Sequence, residues 1–235
     1  MDLNTFLRAF RPHILQVPFS EKLRSGLIAG IAILLLALAL PLFPSNIATF
    51  LMLGSMAASA TLLFAVPHSP MAQPWNLVGG HLISALIGWL CIVFIHSPVL
   101  AAACAVGTAI FLMYYLNCLH PPGAATALSL VLGSSVFLQH GWAWTMLMVG
   151  ANALIFLVLG LVLNNLLPGR RYPMPQQPAA PHKPVAPVAI SEQDIDWAVE
   201  HMGGMIDVST EDLIQIFELA QQHALQPGSR TPPAK

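Results

Sequence analysis

The residues best placed to do chemistry are His120-Pro121-Pro122-Gly123-Ala124-Ala125-Thr126. Tandem prolines lack the N–H groups that would bond the carbonyls of Asn117 and Cys118, and they push His120 out of the α region. A helix arriving through Phe111-Leu112-Met113-Tyr114-Tyr115 is therefore expected to stop at about His120. A new helix can start on the prolines, which favour a first turn. Its first donors would be the amides of Gly123, Ala124 and Ala125, whose small side chains leave them open to a ligand. Bare carbonyls on one side and the positive end of a helix dipole on the other describe a small-anion site.

A second break, Pro67-His68-Ser69-Pro70-Met71-Ala72-Gln73-Pro74-Trp75-Asn76, has the same character. Ser69 and Pro70 read as an N-cap and first helical residue, and Gln73 adds a neutral amide. The plainer alternative is a surface loop between two spans. His81 follows within an apolar run. Such a ring is either a hydrogen-bonding contact between helices or a ligand or proton carrier. The candidate substrate-binding set is thus Ser69, Pro70, Gln73, His81, Asn117, His120, Pro121, Pro122, Gly123 and Ala124. Both breaks contain His-x-Pro, a hint of the internal repeats in which paired broken helices build a site at the membrane midplane.

The elements that must position these residues lie in a membrane. Charged residues make up 8% of the chain and hydrophobic ones 56%, against about 25% charged in an average globular domain. No Lys, Arg, Asp or Glu occurs from Ser25 to Gly169. A charge at the bilayer centre costs roughly 2.5–3.5 kcal/mol, so this interval reads as embedded in the lipid bilayer. A buried soluble core of that length would have no surface to dissolve it.

Six apolar segments fill the interval: 26–43, 47–66, 77–96, 99–119, 124–138 and 142–167. The fifth is shorter than the roughly 20 residues a span needs, so it is a tilted short span or a re-entrant half-helix. Gly26 and Gly30 are spaced as a close-packing pair, and Gly54, Ala57, Ala58, Ser59 and Ala60 suggest a face for tight contact. Gly80, Ser84 and Gly88 recur every four residues, a strip along which another backbone can approach. The first segment is expected to be an uncleaved anchor rather than a signal peptide. Basic residues flank both ends (Arg8, Arg11, Lys22, Arg24; Arg170, Arg171), which places both termini in the cytoplasm and makes the number of crossings even. Six segments satisfy that, as do four with two re-entrant elements. The expected fold is all-α, a polytopic helix bundle with proline-broken helices, integral to a bacterial inner membrane.

Five regions follow from these shifts in composition. Residues 1–22 form an N-terminal segment with an interfacial helical pattern at Leu3, Phe6, Leu7 and Phe10. The transmembrane domain is 23–171, and a proline-rich linker follows at 172–190. Residues 191–226 form a helical hairpin with capping signals at Ser191 and Ser209, and 227–235 a disordered tail. A hairpin of that size is too small to be stable alone and should dock on a second copy or on the cytoplasmic face, so a homo-oligomer is one expected state.

Cys91, Cys104 and Cys118 lie in apolar runs without CxxC spacing and imply neither disulfides nor zinc. No metal or other cofactor is expected. A net charge of −1 without a basic cluster argues against nucleic acid. No His-Glu or Ser-His-Asp constellation appears in the embedded part, so no enzyme is expected.

Three spaced motifs carry a family resemblance: Leu63-Phe64-Ala65-Val66-Pro67 running into Ser69-Pro70-Met71-Ala72-Gln73-Pro74-Trp75-Asn76, then Gly79-Gly80-His81, then His120-Pro121-Pro122-Gly123-Ala124-Ala125-Thr126-Ala127-Leu128. Over about residues 20 to 172 the chain resembles the HPP family of integral membrane proteins. That resemblance implies four transmembrane helices by the usual description, two fewer than the segments counted above. Nitrite transport is the activity assigned to plant-chloroplast and cyanobacterial members. The stretch from Ile190 to Gln226 resembles the segment that leads into paired CBS-type nucleotide-sensing domains in longer relatives, and adenine-nucleotide regulation within this chain is not expected. The leading functional expectation is a transporter or channel for a small inorganic anion, nitrite by resemblance. The alternative is a non-transporting scaffold or regulatory subunit whose tail binds a cytoplasmic partner.

Reporter fusions at Met1 and Ala180 should both report the cytoplasm. Opposite locations for the two ends would sink the even-crossing topology.

Overall fold

A computed structural model describes residues 10, 17–39, 46–174, 213 and 217. Among them are six α-helices and no strand: α1 Phe19–Ala39, α2 Asn46–Ala65, α3 Pro74–Phe94, α4 Pro98–Tyr115, α5 Pro121–Leu132 and α6 Ser134–Asn165. The chain is a polytopic helical membrane protein. α1, α3, α4 and α6 are each long and apolar enough to cross a membrane, and α2 is 20 residues without a charge. α6 is bent at Gly141, whose φ of 80° only glycine adopts readily. The expected interfacial helix at 1–10 and the hairpin at 191–226 lie outside the described residues, apart from Phe10, Leu213 and Phe217.

Proline at the first position starts α3, α4 and α5, where its missing N–H costs nothing. α4 ends differently from the expectation. It stops at Tyr115, not near His120, and the double proline is not what stops it. Asn117 takes the left-handed conformation at φ 53°; its N–H bonds Tyr114 O at 3.1 Å, and the Cys118 N–H bonds Met113 O at 2.9 Å. That is a Schellman cap, with asparagine in the place glycine usually holds. The prolines act one step later, by starting α5.

The bundle is organised around α3, which packs on α4, α5 and α6. α3 and α5 run parallel and touch backbone to backbone. A Cβ added at Gly80 would lie 2.5 Å from His120 Cβ; one at Gly123 would lie 2.8 Å from Gly80 O, and one at Gly88 2.9 Å from Ala127 O. The expected Gly80–Ser84–Gly88 strip is thus where the second backbone lies.

This pairing explains the short helix. α5 has 12 residues, about 18 Å, against about 31 Å for the 21 residues of α3. Because Ala127 sits beside Gly88, Pro121 begins roughly 12 Å inside the start of α3, and the two helices end nearly level. Residues 116–120 fill the missing depth as non-helical chain. Such backbone is tolerated at membrane depth only inside protein or along a cavity, and here Cys118 and His120 are buried. The carbonyls left by the break are met from α3: Trp75 Nε1 donates to Leu116 O at 3.2 Å, and Asn76 Nδ2 to Leu119 O at 2.9 Å.

Two other small-residue expectations are corrected. Gly26 and Gly30 have nothing within 4 Å of an added Cβ, so among the described residues they are not a packing pair. On α2, Ser59 and Ala60 face inward, while Gly54, Ala57 and Ala58 are exposed. The helical periodicity of α2 puts Ser55, Ser59 and Ala60 on the buried side and Gly54, Ala57 and Ala58 on the other.

The two ends of the helical block meet. The buried Arg170 guanidinium pairs with Glu21 and donates to Ser25 Oγ at 2.7 Å and to Asn164 Oδ1 at 3.2 Å. Asn164 in turn donates to Leu63 O at 3.1 Å. The folded unit therefore reaches beyond 23–171 on both sides: Glu21 is part of the clamp, and Tyr172 is buried with its hydroxyl on Ala72 O at 2.8 Å. Both ends of the described helical block, at Glu21 and Arg170, therefore lie on one side of the bundle.

Gly80→Ala should destabilise the bundle by about 1–3 kcal/mol through overpacking against His120. Gly26→Ala and Gly30→Ala should be neutral or slightly stabilising, by up to about 1 kcal/mol each. Thermal unfolding of purified protein in detergent reads all three, and a neutral Gly80→Ala would contradict the close pairing of α3 with α5.

Candidate functional site

Four side chains from three helices meet beneath the breaks. Ser59 comes from α2, His81 from the third turn of α3, His120 from the N-cap of α5 and Thr126 from its second turn. All four are fully buried. Ser59 Oγ lies 3.0 Å from His81 Nε2 and 2.9 Å from His120 Nε2. His81 Nδ1 lies 2.7 Å from Thr126 Oγ1, and His120 Nδ1 lies 2.8 Å from Met71 O. The two rings stand edge to face with centroids 5.0 Å apart. Ser59 Oγ also lies 3.1 Å from Ser55 O. The absence of a side chain at Gly80 lets His120 approach α3 closely enough for the rings to share one hydroxyl.

The hydrogens can be placed by elimination. A carbonyl only accepts, so His120 Nδ1 carries a hydrogen for Met71 O. In a neutral ring its Nε2 is then bare and takes the Ser59 hydroxyl hydrogen. Ser59 Oγ must accept from His81 Nε2–H, which leaves His81 Nδ1 to accept from Thr126. With neutral rings only this order satisfies both ring nitrogens of both histidines. It forms one directed chain: Thr126 to His81, to Ser59, to His120, to the Met71 carbonyl.

Above the cluster lies the first break. Ser69 caps a 3-10 turn at Pro70–Ala72, accepting from the Met71 N–H at 3.3 Å. Gln73 ties the turn down: its Nε2 donates to Pro67 O at 3.1 Å and Ser69 O at 2.9 Å, and its Oε1 accepts from the Met174 N–H at 2.9 Å. Burial pushes the Tyr172 phenol above its ordinary pKa, so it stays a neutral donor to Ala72 O.

Residues 15–173 match the family described as HPP, transmembrane region. The chain belongs to the HPP transmembrane family. Two curated proteins of Dictyostelium discoideum, each named only as a transmembrane protein, are similar to it. One is 42% identical over 127 residues, covering 52% of this chain and 44% of the relative. The other is 40% identical over 130 residues, covering 54% and 42%. The chain thus spans less than half the length of these relatives. No solved structure matches it significantly.

Within the HPP domain the sequence candidates separate. His81 and His120 meet in the cluster. Ser69, Pro70 and Gln73 form its roof, with Gln73 spent on holding the turn. Asn117 is exposed and serves as the helix-stop residue. Pro121 is exposed and Pro122 buried at the start of α5. The Gly123 amide is not open as expected: it bonds His120 O at 2.7 Å, and the residue is pressed against Gly80 and Ser84. Ala124 is half-buried on the next turn. The two His-x-Pro stretches are not equivalent, since His120 is itself a helix cap whereas Ser69, not His68, caps the first turn.

Sequence reading gave Ser59 only a packing role and assigned none to Thr126 or the Met71 carbonyl. A signal for Ser59 exists: Ser55 and Ser59 are four apart on an otherwise apolar helix, the spacing of one buried face.

Ser59→Ala removes the oxygen both rings share and should cost about 1–3 kcal/mol. Ser129→Ala removes only a bond to Ala125 O within the same helix and should stay within about 0.5 kcal/mol. Thermal melts of the two variants, compared with wild type, check the difference.

Proposed function

We propose that this HPP protein is a transporter or channel for a small inorganic anion, with nitrite the substrate that the family resemblance implies. The observation that carries the reading is the buried, uncharged His81–Ser59–His120–Thr126 cluster beside the sunken start of α5. Ionisable side chains inside a membrane are expensive and usually mark a substrate or ion path. Between Ser25 and Gly169 no fixed charge could hold an anion. Ring N–H groups, hydroxyls and the dipole of α5 are the means left to do so. Weak neutral binding suits passage, because a permeating ion must also leave. The location that fits is a bacterial inner membrane with both termini cytoplasmic.

One observation favours the second reading, a membrane scaffold without transport. Both ring nitrogens of each histidine find partners inside the protein, as in a lock between helices worth about 0.6 kcal/mol per bond.

Uptake by proteoliposomes of the purified full chain separates the two. Nitrite should enter saturably above empty vesicles, with nitrate, formate and chloride as competitors. His120→Asn keeps an N–H for Met71 O but loses the ring nitrogen facing Ser59. It should lower flux per inserted protein at least tenfold. A folded protein that moves none of these anions would support the scaffold.

A further inference from the structure

The polar cluster has one more contact than its neutral form can serve. Five hydrogen-bond contacts converge there: Thr126 with His81, His81 with Ser59, Ser59 with His120, His120 with Met71 O, and Ser59 with Ser55 O. With both imidazoles neutral, the hydrogens number four: one on Thr126, one on His81, one on Ser59 and one on His120. Ser59 has a single hydrogen for two acceptors, His120 Nε2 at 2.9 Å and Ser55 O at 3.1 Å.

A fifth hydrogen resolves this. When a proton adds to His120 Nε2, that nitrogen becomes a donor to Ser59 Oγ. The Ser59 hydrogen, released from the ring, turns to Ser55 O. Ser59 Oγ then accepts from both rings through its two lone pairs. No heavy atom has to move, all five contacts are made, and the cluster carries one positive charge.

That charge has no counter-ion in the bundle. α2, α3, α4 and α5 contain no carboxylate, Lys or Arg. Ser59 of α2 and Thr126 of α5 are the hydroxyls that touch the rings, Ser84 of α3 turns instead to the Met113 sulfur, and α4 contributes no titratable group there. The adjoining non-helical segments bring the Cys118 thiol and, in the first break, the half-buried His68. The Tyr172 phenol is engaged with Ala72 O, one residue from Met71. Glu21 and Arg170 at the same end of the bundle pair with each other. A buried cation without a partner is costly, so charge must be balanced by an anion arriving with the proton. We propose that the Ser59-bridged histidine pair takes up one proton with each anion, so that the protein moves the two together. This rests on the transport reading above and names its coupling. Met71, whose carbonyl ends the chain, is half-buried in the turn of the first break.

The test uses the full chain in proteoliposomes with an entrapped pH dye and the membrane potential clamped by potassium and valinomycin. Nitrite is the applied anion, and empty vesicles correct for leakage of the acid through lipid. The expected result is luminal acidification at close to one proton per nitrite, with flux falling about tenfold per unit of rising pH once proton loading limits it. Ser59→Thr, which keeps the hydroxyl, should retain that ratio. Ser59→Ala should lose it, with any residual nitrite flux becoming independent of pH. Nitrite uptake without proton movement in the wild type overturns the coupling and leaves the transport reading standing. A ratio near one in Ser59→Ala overturns the route through Ser59. No flux of nitrite, nitrate or chloride in folded protein overturns both.

Discussion

Everything distinctive about this bundle depends on two parallel helices touching at their backbones. α3 and α5 approach so closely that a single methyl at Gly80, Gly88 or Gly123 would collide with the neighbouring chain. In lipid, where apolar side chains have nothing to gain by leaving solvent, such small-residue contacts are a main source of helix association. The same contact sets the level at which α5 can begin. It forces the connection from α4 to descend into the protein as non-helical chain, and it delivers His120 against α3 at the depth of His81.

The consequence is a polar cluster sealed under a roof of tied-down backbone. The roof is the 3-10 turn at Pro70–Ala72, held by Gln73 and by the hydroxyl of Tyr172. Tyr172 in turn follows the Arg170–Glu21 clamp that joins the first and last helices. Hydrogen bonds join the cluster to its roof, and the clamp adjoins the roof along the chain from Arg170 to Tyr172. The bonds of that turn to Ser69, Gln73 and Tyr172 are individually modest, about 1 kcal/mol each.

Much of this was legible in the amino-acid order. The charge-free interval marked the membrane block, and its six apolar segments correspond to the six helices, except that the last two divide at Gly133 rather than between 138 and 142. The period-four strip on α3 marked a close approach, and the prolines marked the starts of the Pro70–Ala72 turn and of α5. The readings that failed share a physical cause. A proline pair announces that a helix cannot pass through, but α4 had already ended at a left-handed Asn117, a conformation sequence spacing does not reveal. An exposed-looking amide at Gly123 was judged from its small neighbours, yet smallness also admits another backbone, which covered it. Ser59 was grouped with packing residues because a hydroxyl on a small-residue helix looks alike whether it meets a methyl or an imidazole. Only the tertiary pairing of α2 with α5 distinguishes the two.

The central claim is the directed order of hydrogens through the two rings, and it has a direct spectroscopic reading. Nitrogen-15 NMR of histidine-labelled full chain in lipid bilayers reports which ring nitrogen carries hydrogen, with His81→Gln and His120→Gln variants to assign the two signals. The account predicts different tautomers at high pH, hydrogen on Nε2 of His81 and on Nδ1 of His120, and a single doubly protonated ring, His120, as the pH falls. The same tautomer in both rings, or two rings gaining protons independently, would contradict it.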